Sequence, residues 1–158
     1  MAEALPFGLK LLEALLTKQP EDPELLLAAA QGYLLYTYAF VWLPSDQLRL
    51  SDLERSEALR ARAQNLYGRA LRYAGRALDA RPQPYAAEDV PALYWNAAAL
   101  GLLIAASKDQ PQWLARLPEV EGLLDRALAL DPAWNDGALH EFAITLAATR
   151  PGGADLGA

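Results

Sequence analysis

The 158-residue chain has no cysteine. That rules out a disulfide framework, thiolate zinc ligation and a cysteine nucleophile, but leaves the compartment open. Histidine occurs once, at His140, and a lone imidazole with scattered carboxylates cannot build a usual transition-metal site. No HExxH, GxGxxG or Walker pattern is present. Strand-forming material is scarce too: Val, Ile and Thr are few, and no stretch alternates apolar and polar residues with β-branched side chains. Lysine appears only at Lys10, Lys18 and Lys108, so the cationic side of the protein is written in arginine. With a net charge of −6, generic nucleic-acid binding is not expected.

Apolar length is what the chain does have. Residues 25–43 (LLLAAAQGYLLYTYAFVWL) and residues 90–107 (VPALYWNAAALGLLIAAS) carry no charge. Each is long enough to span a bilayer, since about 18 apolar residues suffice. Gln31, Gly32, Tyr33, Tyr36, Thr37 and Tyr38 scatter polar atoms through the first run, however. No Lys/Arg cluster flanks either run to set an orientation. Both are read as helices enclosed by other helices of a soluble all-α array, with no transmembrane helix. At the N-terminus, MAEALPFGLK shows no charged n-region, apolar h-region and cleavage site.

Prolines punctuate a dense helical pattern. A first helix is expected over residues 6–18, with Phe7, Leu11, Leu12, Leu15 and Leu16 apolar. Asp22 caps the second, with Pro23 in its first turn, and this helix should stop before Pro44. Ser51 and Glu54 form a capping-box signature opening a long helix to about Ala80. Asp89 caps a helix to about Ser107. Helices over residues 111–116, 118–130 and 133–149 follow, and Pro151-Gly152-Gly153 ends the pattern. The fold class is all-α, one domain over residues 1–158, with about seven helices.

A spacing recurs within this pattern. Ala77, Ala74 and Ala70 lie 5, 8 and 12 residues before Pro82; Ala127, Leu124 and Val120 lie at the same distances before Pro132. Small and packing residues at these offsets before a terminating proline resemble the second helix of a tetratricopeptide repeat. Gly32 and Gly101 would take the tight position in the first helix. Insertions spoil a clean period, so the array reads as degenerate antiparallel hairpins, with an up-down bundle as the alternative.

Three features could carry chemistry. At 100° per residue, Arg62, Arg69, Arg72 and Arg76 share one face of the long helix with Asn65, and Asp79 is the only acid between Arg60 and Arg81. Such a stripe either pairs with carboxylates of a neighbouring helix or faces an anionic ligand through its guanidinium forks. Aromatics crowd the ends of the uncharged helices: Tyr33, Tyr36, Tyr38, Phe40 and Trp42 in one, Tyr94 and Trp95 in the other. Most belong to a core, but tyrosine and tryptophan also suit the wall of a groove. His140 reads most simply as a half-exposed helix residue. If a ligand is held, its site should combine Tyr38, Arg69, Arg72, Tyr73, Tyr94, Trp95 and His140. Tyr67 lies on the opposite flank and should pack in the core or border the groove. No catalytic residue, metal or cofactor is expected.

An ordered series of segments carries a family resemblance: LYTYAFV (35–41), RAQNLYGRALRYA (62–74), ALYWNAAALG (92–101), IAASKD (104–109), RALALDP (126–132) and GALHE (137–141). In this order and spacing, over roughly residues 5–153, the chain resembles the TRAP-transporter T-component family, the TatT-like proteins. The resemblance implies an all-α, tetratricopeptide-like protein of the periplasm, non-enzymatic and usually lipid-anchored. It implies association with the periplasmic solute-binding component of a tripartite ATP-independent transporter. Self-association, with a trimer conceivable, and a cavity for a hydrophobic ligand follow from the same resemblance, whereas a carboxylate ligand is the reading of the arginine stripe alone. The chain departs from the pattern in showing no leader or lipobox cysteine, in reaching Ala158 where the family continues, and in reading WLPSD after Val41, which should break the helix early. The rival reading is a cytoplasmic tetratricopeptide adaptor for a peptide or protein.

Overall fold

The computed structural model describes residues 6–149, and the expected stop at Pro151-Gly152-Gly153 lies outside them. Among the described residues there are eight α-helices: α1 (Phe7–Lys18), α2 (Pro23–Thr37), α3 (Leu43–Leu48), α4 (Leu53–Asp79), α5 (Val90–Ala106), α6 (Pro111–Leu114), α7 (Leu117–Leu130) and α8 (Ala138–Thr149). A π turn, Tyr38–Trp42, joins α2 to α3 without a break, so the helical rods number seven. The all-α reading holds.

Each long helix packs antiparallel on the next in sequence. Residues at the start of α2 meet the end of α4 (Leu26 with Ala77), whereas Tyr36 near its end meets Arg62. In the same way Leu78 clusters with Val90, while Gln64 Nε2 donates to the Ala106 carbonyl at 2.8 Å. The recurring spacing has a clear packing role: Ala70, Ala74, Ala77, Val120, Leu124 and Ala127 are all buried. On α4 this stripe lets α2 and α5 approach closely. Helix α5 buries residues on every side, as a core helix does.

Asp22 caps α2 as expected, accepting from the Glu24 and Leu25 amides at 2.9 and 3.0 Å. Several boundaries need correction. The helix expected to stop before Pro44 runs on to Leu48, because the Leu43 amide bonds back to the Tyr38 carbonyl, five residues away. This widened turn accommodates the proline ring that an ordinary helical turn would crowd. Serines finish the job: Ser45 Oγ donates to the Ser56 carbonyl (2.9 Å) and Ser56 Oγ to the Ser45 carbonyl (2.7 Å), fastening α3 to α4. Helix α4 is capped by Asp52, one residue past the expected Ser51. Asp89 does not cap α5; its carboxylate accepts from the Ala86 amide (2.8 Å) and pairs with Arg81 (3.4 Å). Helix α8 starts at Ala138, not Ala133, because Asn135, Asp136 and Gly137 have positive φ and form a separate tight turn. On α1, Leu9 and Leu16 are buried whereas Phe7, Leu11 and Leu15 stay exposed.

Two adjacent substitutions test the packing of α4. Ala74 is fully buried, whereas a Cβ added at Gly75 meets nothing within 4 Å. Ala74→Leu should lose about 1–3 kcal/mol by overpacking. Gly75→Ala should gain about 0.5–1 kcal/mol by stiffening the helix backbone. Urea denaturation of both variants checks the pair, and equal effects would contradict the packing described.

Candidate functional site

The arginine stripe of α4 divides by partner. Arg62 Nη2 donates to the Tyr36 hydroxyl at 3.3 Å, and Arg76 donates to the Pro20 carbonyl and pairs with Glu21 at 3.4 Å. Arg69 belongs to a polar knot joining three helices. Glu13 of α1 accepts from the hydroxyls of Tyr33 (2.7 Å) and Tyr73 (3.0 Å) and from Arg69 Nη1 (3.3 Å). The same Nη1 reaches Tyr33 Oη at 3.2 Å, and the Arg69 guanidinium lies 5.5 Å from the Tyr33 ring centre. Burial pushes the Tyr33 phenol up to about 12, helped by its bond to Glu13 and opposed by Arg69. Tyr73 is raised for the same leading reasons. Arg72 is exposed and has no ion-pair or hydrogen-bond partner among the described residues.

Two clefts flank the C-terminal half of α5. The first, about 640 Å³, is apolar. Small residues Ala98, Gly101 and Ala105 form one wall, Phe142 and Leu146 of α8 the other, with Tyr38 and Tyr94 at its border. A Cβ added at Gly101 would come within 3.2 Å of the Phe142 ring, so glycine allows α8 to seat here. Tyr94 anchors an aromatic group, with ring centres 4.8 Å from Trp134, 5.1 Å from Trp95 and 5.9 Å from Phe142. Its phenol is raised by burial and secondarily by the charge of Glu141. Lys108 and Glu141 are the charged side chains on this wall. The second cleft, about 690 Å³, lies between α4 and the α5–α6 junction and includes Arg69 and Arg72.

The seven residues expected to share one wall therefore fall into separate settings. Tyr38 and Tyr94 border the apolar cleft; Arg69 and Arg72 line the polar one. Tyr73 belongs to the knot, and Trp95 packs half-buried against the core. His140 is exposed and lines neither cleft. Tyr67 is fully buried in the core, its hydroxyl without a hydrogen-bond partner among the described residues. Sequence reasoning did not pick out Glu13, the acceptor at the centre of the knot; its tyrosine partners are 20 and 60 residues away, beyond any local signal. Gly101 was recognised as a tight position, but Phe142 as its neighbour was not.

Among the described residues the helices pack as successive hairpins, an all-α arrangement with one apolar and one arginine-lined cleft. The profile of the TRAP transporter T-component matches residues 1–86 and 83–155, and the chain belongs to that family. A protein of Treponema pallidum (strain Nichols), described only as uncharacterized, is 28% identical over a 173-residue alignment covering 96% of this chain. The chain spans about half the length of that relative, 53%.

Two substitutions probe the knot. Tyr33→Phe should cost about 1.5–3 kcal/mol, because its hydroxyl bonds two charged groups, Glu13 and Arg69. Because folding raises the Tyr33 phenol to about 12, its contribution is fully present below the ordinary tyrosine value near 10 and is lost as pH climbs through about 12. The variant should thus lose stability less steeply than the parent between pH 10 and 12, read from urea midpoints. Arg69→Ala should cost only about 1 kcal/mol or less, since both partners are partly exposed (41% and 32% for Arg69 and Glu13). A loss of several kcal/mol would mean that Glu13 is left as a buried, unpaired charge.

Proposed function

We propose that the protein is a non-enzymatic binding and scaffold subunit of a TRAP-type uptake system, docking on the periplasmic solute-binding component and holding a hydrophobic ligand in the apolar cleft. Family membership over nearly the whole chain is the observation that carries this reading. The cleft supports it chemically: an open, mostly apolar hollow walled by Ala98, Gly101, Ala105, Leu102 and Phe142 suits a hydrophobic ligand. Location in the periplasm and the tetratricopeptide-like character of the array belong to the same reading. The array has its support in the sequential antiparallel hairpins and in the buried small-residue stripe on α4.

Helices Pro23–Leu48 and Ala87–Ala106 are long and apolar enough to cross a membrane, by length and composition. Their most apolar windows are 50% and 61% buried against the rest of the protein, which supports reading them as core helices. Self-association is part of the proposal. Leu35, Tyr38, Phe40 and Leu43 are exposed along the α2–α3 rod, and Leu50 and Leu53 continue the apolar surface. A closed homo-oligomer, a trimer being one form, would cover it.

The direct experiment mixes the purified protein with a TRAP-type solute-binding protein from the same organism and follows co-elution at micromolar concentration. Co-elution is the expected result; separate elution, with the full-length gene product found in the cytoplasm, overturns the reading. Sedimentation should show an oligomer, and a monomer at high concentration contradicts the self-association. For the cleft, the neutral probe N-phenyl-1-naphthylamine should gain fluorescence with the parent. Ala105→Phe, which fills the hollow, should abolish that gain while the fold is retained.

A further inference from the structure

The second cleft has the opposite chemistry. Its lining holds Asn65, Arg69, Arg72, Ser107, Gln110 and Trp113, together with Arg116, and contains no acidic residue. Three arginines line one cleft in a chain of net charge −6, and among the described residues only two of them meet an acid, each outside the lining. Their states differ in a way that matters. Arg116 is committed to Glu119 through two bonds, Nε at 2.8 Å and Nη2 at 2.9 Å, and its guanidinium lies 5.5 Å from the Trp113 ring centre. Arg69 is held from behind: its bonds to Tyr33 and Glu13 both leave from Nη1, so Nε and Nη2 remain available. Arg72 is committed to nothing among the described residues.

Neutral polar groups complete the wall. Ser107 is 1% exposed, yet its Oγ has no hydrogen-bond partner among the described residues, an unusual state for a buried hydroxyl. Gln110 and Asn65 offer amide groups on opposite sides, one after α5 and one on α4. Leu66, Leu71 and Leu103 supply apolar surface beside the Trp113 indole. A cavity of about 690 Å³ is far larger than a bare inorganic anion requires.

We propose that this cleft is a binding site for a small organic carboxylate. Arg72 supplies the unneutralised charge and the free edge of Arg69 a second, pre-positioned fork. Trp113 and the leucines take the organic body. The planar guanidinium suits carboxylate through paired N–H···O bonds. The site is separate from the apolar cleft, and its ligand does not depend on the partner proposed above.

Calorimetric titration of the full chain with 2-naphthoate, its neutral analogue 2-naphthamide and inorganic phosphate tests the assignment. Naphthoate should bind at least about tenfold more tightly than either of the others. Arg72→Ala should weaken naphthoate by about tenfold or more without changing the melting temperature, since Arg72 has no partner to lose, and Arg72→Lys should recover part of the affinity. Ala105→Phe, in the other cleft, should leave naphthoate binding unchanged. Equal binding of naphthoate and naphthamide, binding of phosphate as tight as naphthoate, insensitivity to Arg72→Ala, or loss of naphthoate in Ala105→Phe would each overturn the proposal.

Discussion

The alanine stripe of α4 is the constraint on which the structure depends. Ala63, Ala70, Ala74 and Ala77 are fully buried, and their small side chains let two flanking helices close on a single central rod. Alanine itself contributes little apolar area. The stabilising burial comes from what the close approach encloses: Leu26, Tyr33 and Leu34 on α2, Tyr67 on α4, Leu93 and Leu100 on α5. Larger residues on the stripe would hold α2 and α5 away and expose that surface. An arrangement of this kind explains why two runs without charge can lie inside a protein of modest size. They lie side by side against the buried face of an amphipathic helix, α4.

The knot at Glu13 follows from the same geometry. Tyr33 lies at the interface of α2 and α4, and its fully buried ring carries a hydroxyl that must find an acceptor. Glu13 supplies it from α1, and Arg69 and Tyr73 share the same oxygen. Helix α1, whose apolar face is only partly covered, is thereby fixed by a polar contact as well as by Leu9 and Leu16. Arg81 plays a similar part at the other end of α4, bonding Glu24 at 2.6 Å and Asp89 at 3.4 Å.

Local features were legible in the sequence; distant partners were not. The Asp22 cap, the extent of α4 and the small-residue offsets before Pro82 and Pro132 rest on contacts within one or two helical turns. Pro44 misled because its rule is local as well: one extra residue in the Tyr38–Trp42 turn absorbed it, and nothing in the composition of that run announces a π turn. The arginine face was visible as a face. Whether each guanidinium meets a carboxylate or a cavity depended on Glu13 and Glu21, each more than 50 residues away. Tyr38 and Tyr94 do share a cleft, whereas helix α8 begins five residues late and His140 faces away from it.

Both clefts arise from the way α5 is built. Its small residues serve two purposes on different faces. Toward α4 they allow contact, as Ala99 and Ala106 do in the core. Toward α8, Ala98, Gly101 and Ala105 line a hollow, with the Phe142 ring lying against Gly101. Where α5 ends at Ser107 the chain turns into α6, whose Leu114 lines the apolar cleft and whose Trp113 lines the polar one. One short helix thus forms a partition between an apolar space and a cationic one. The arginines lie on one side of this partition, and their absence from the lining on the other keeps that space suited to hydrocarbon. The separation is chemical because the partition is steric: on its α8-facing side α5 carries side chains too small to fill the space, and α6 stands between that space and the arginines.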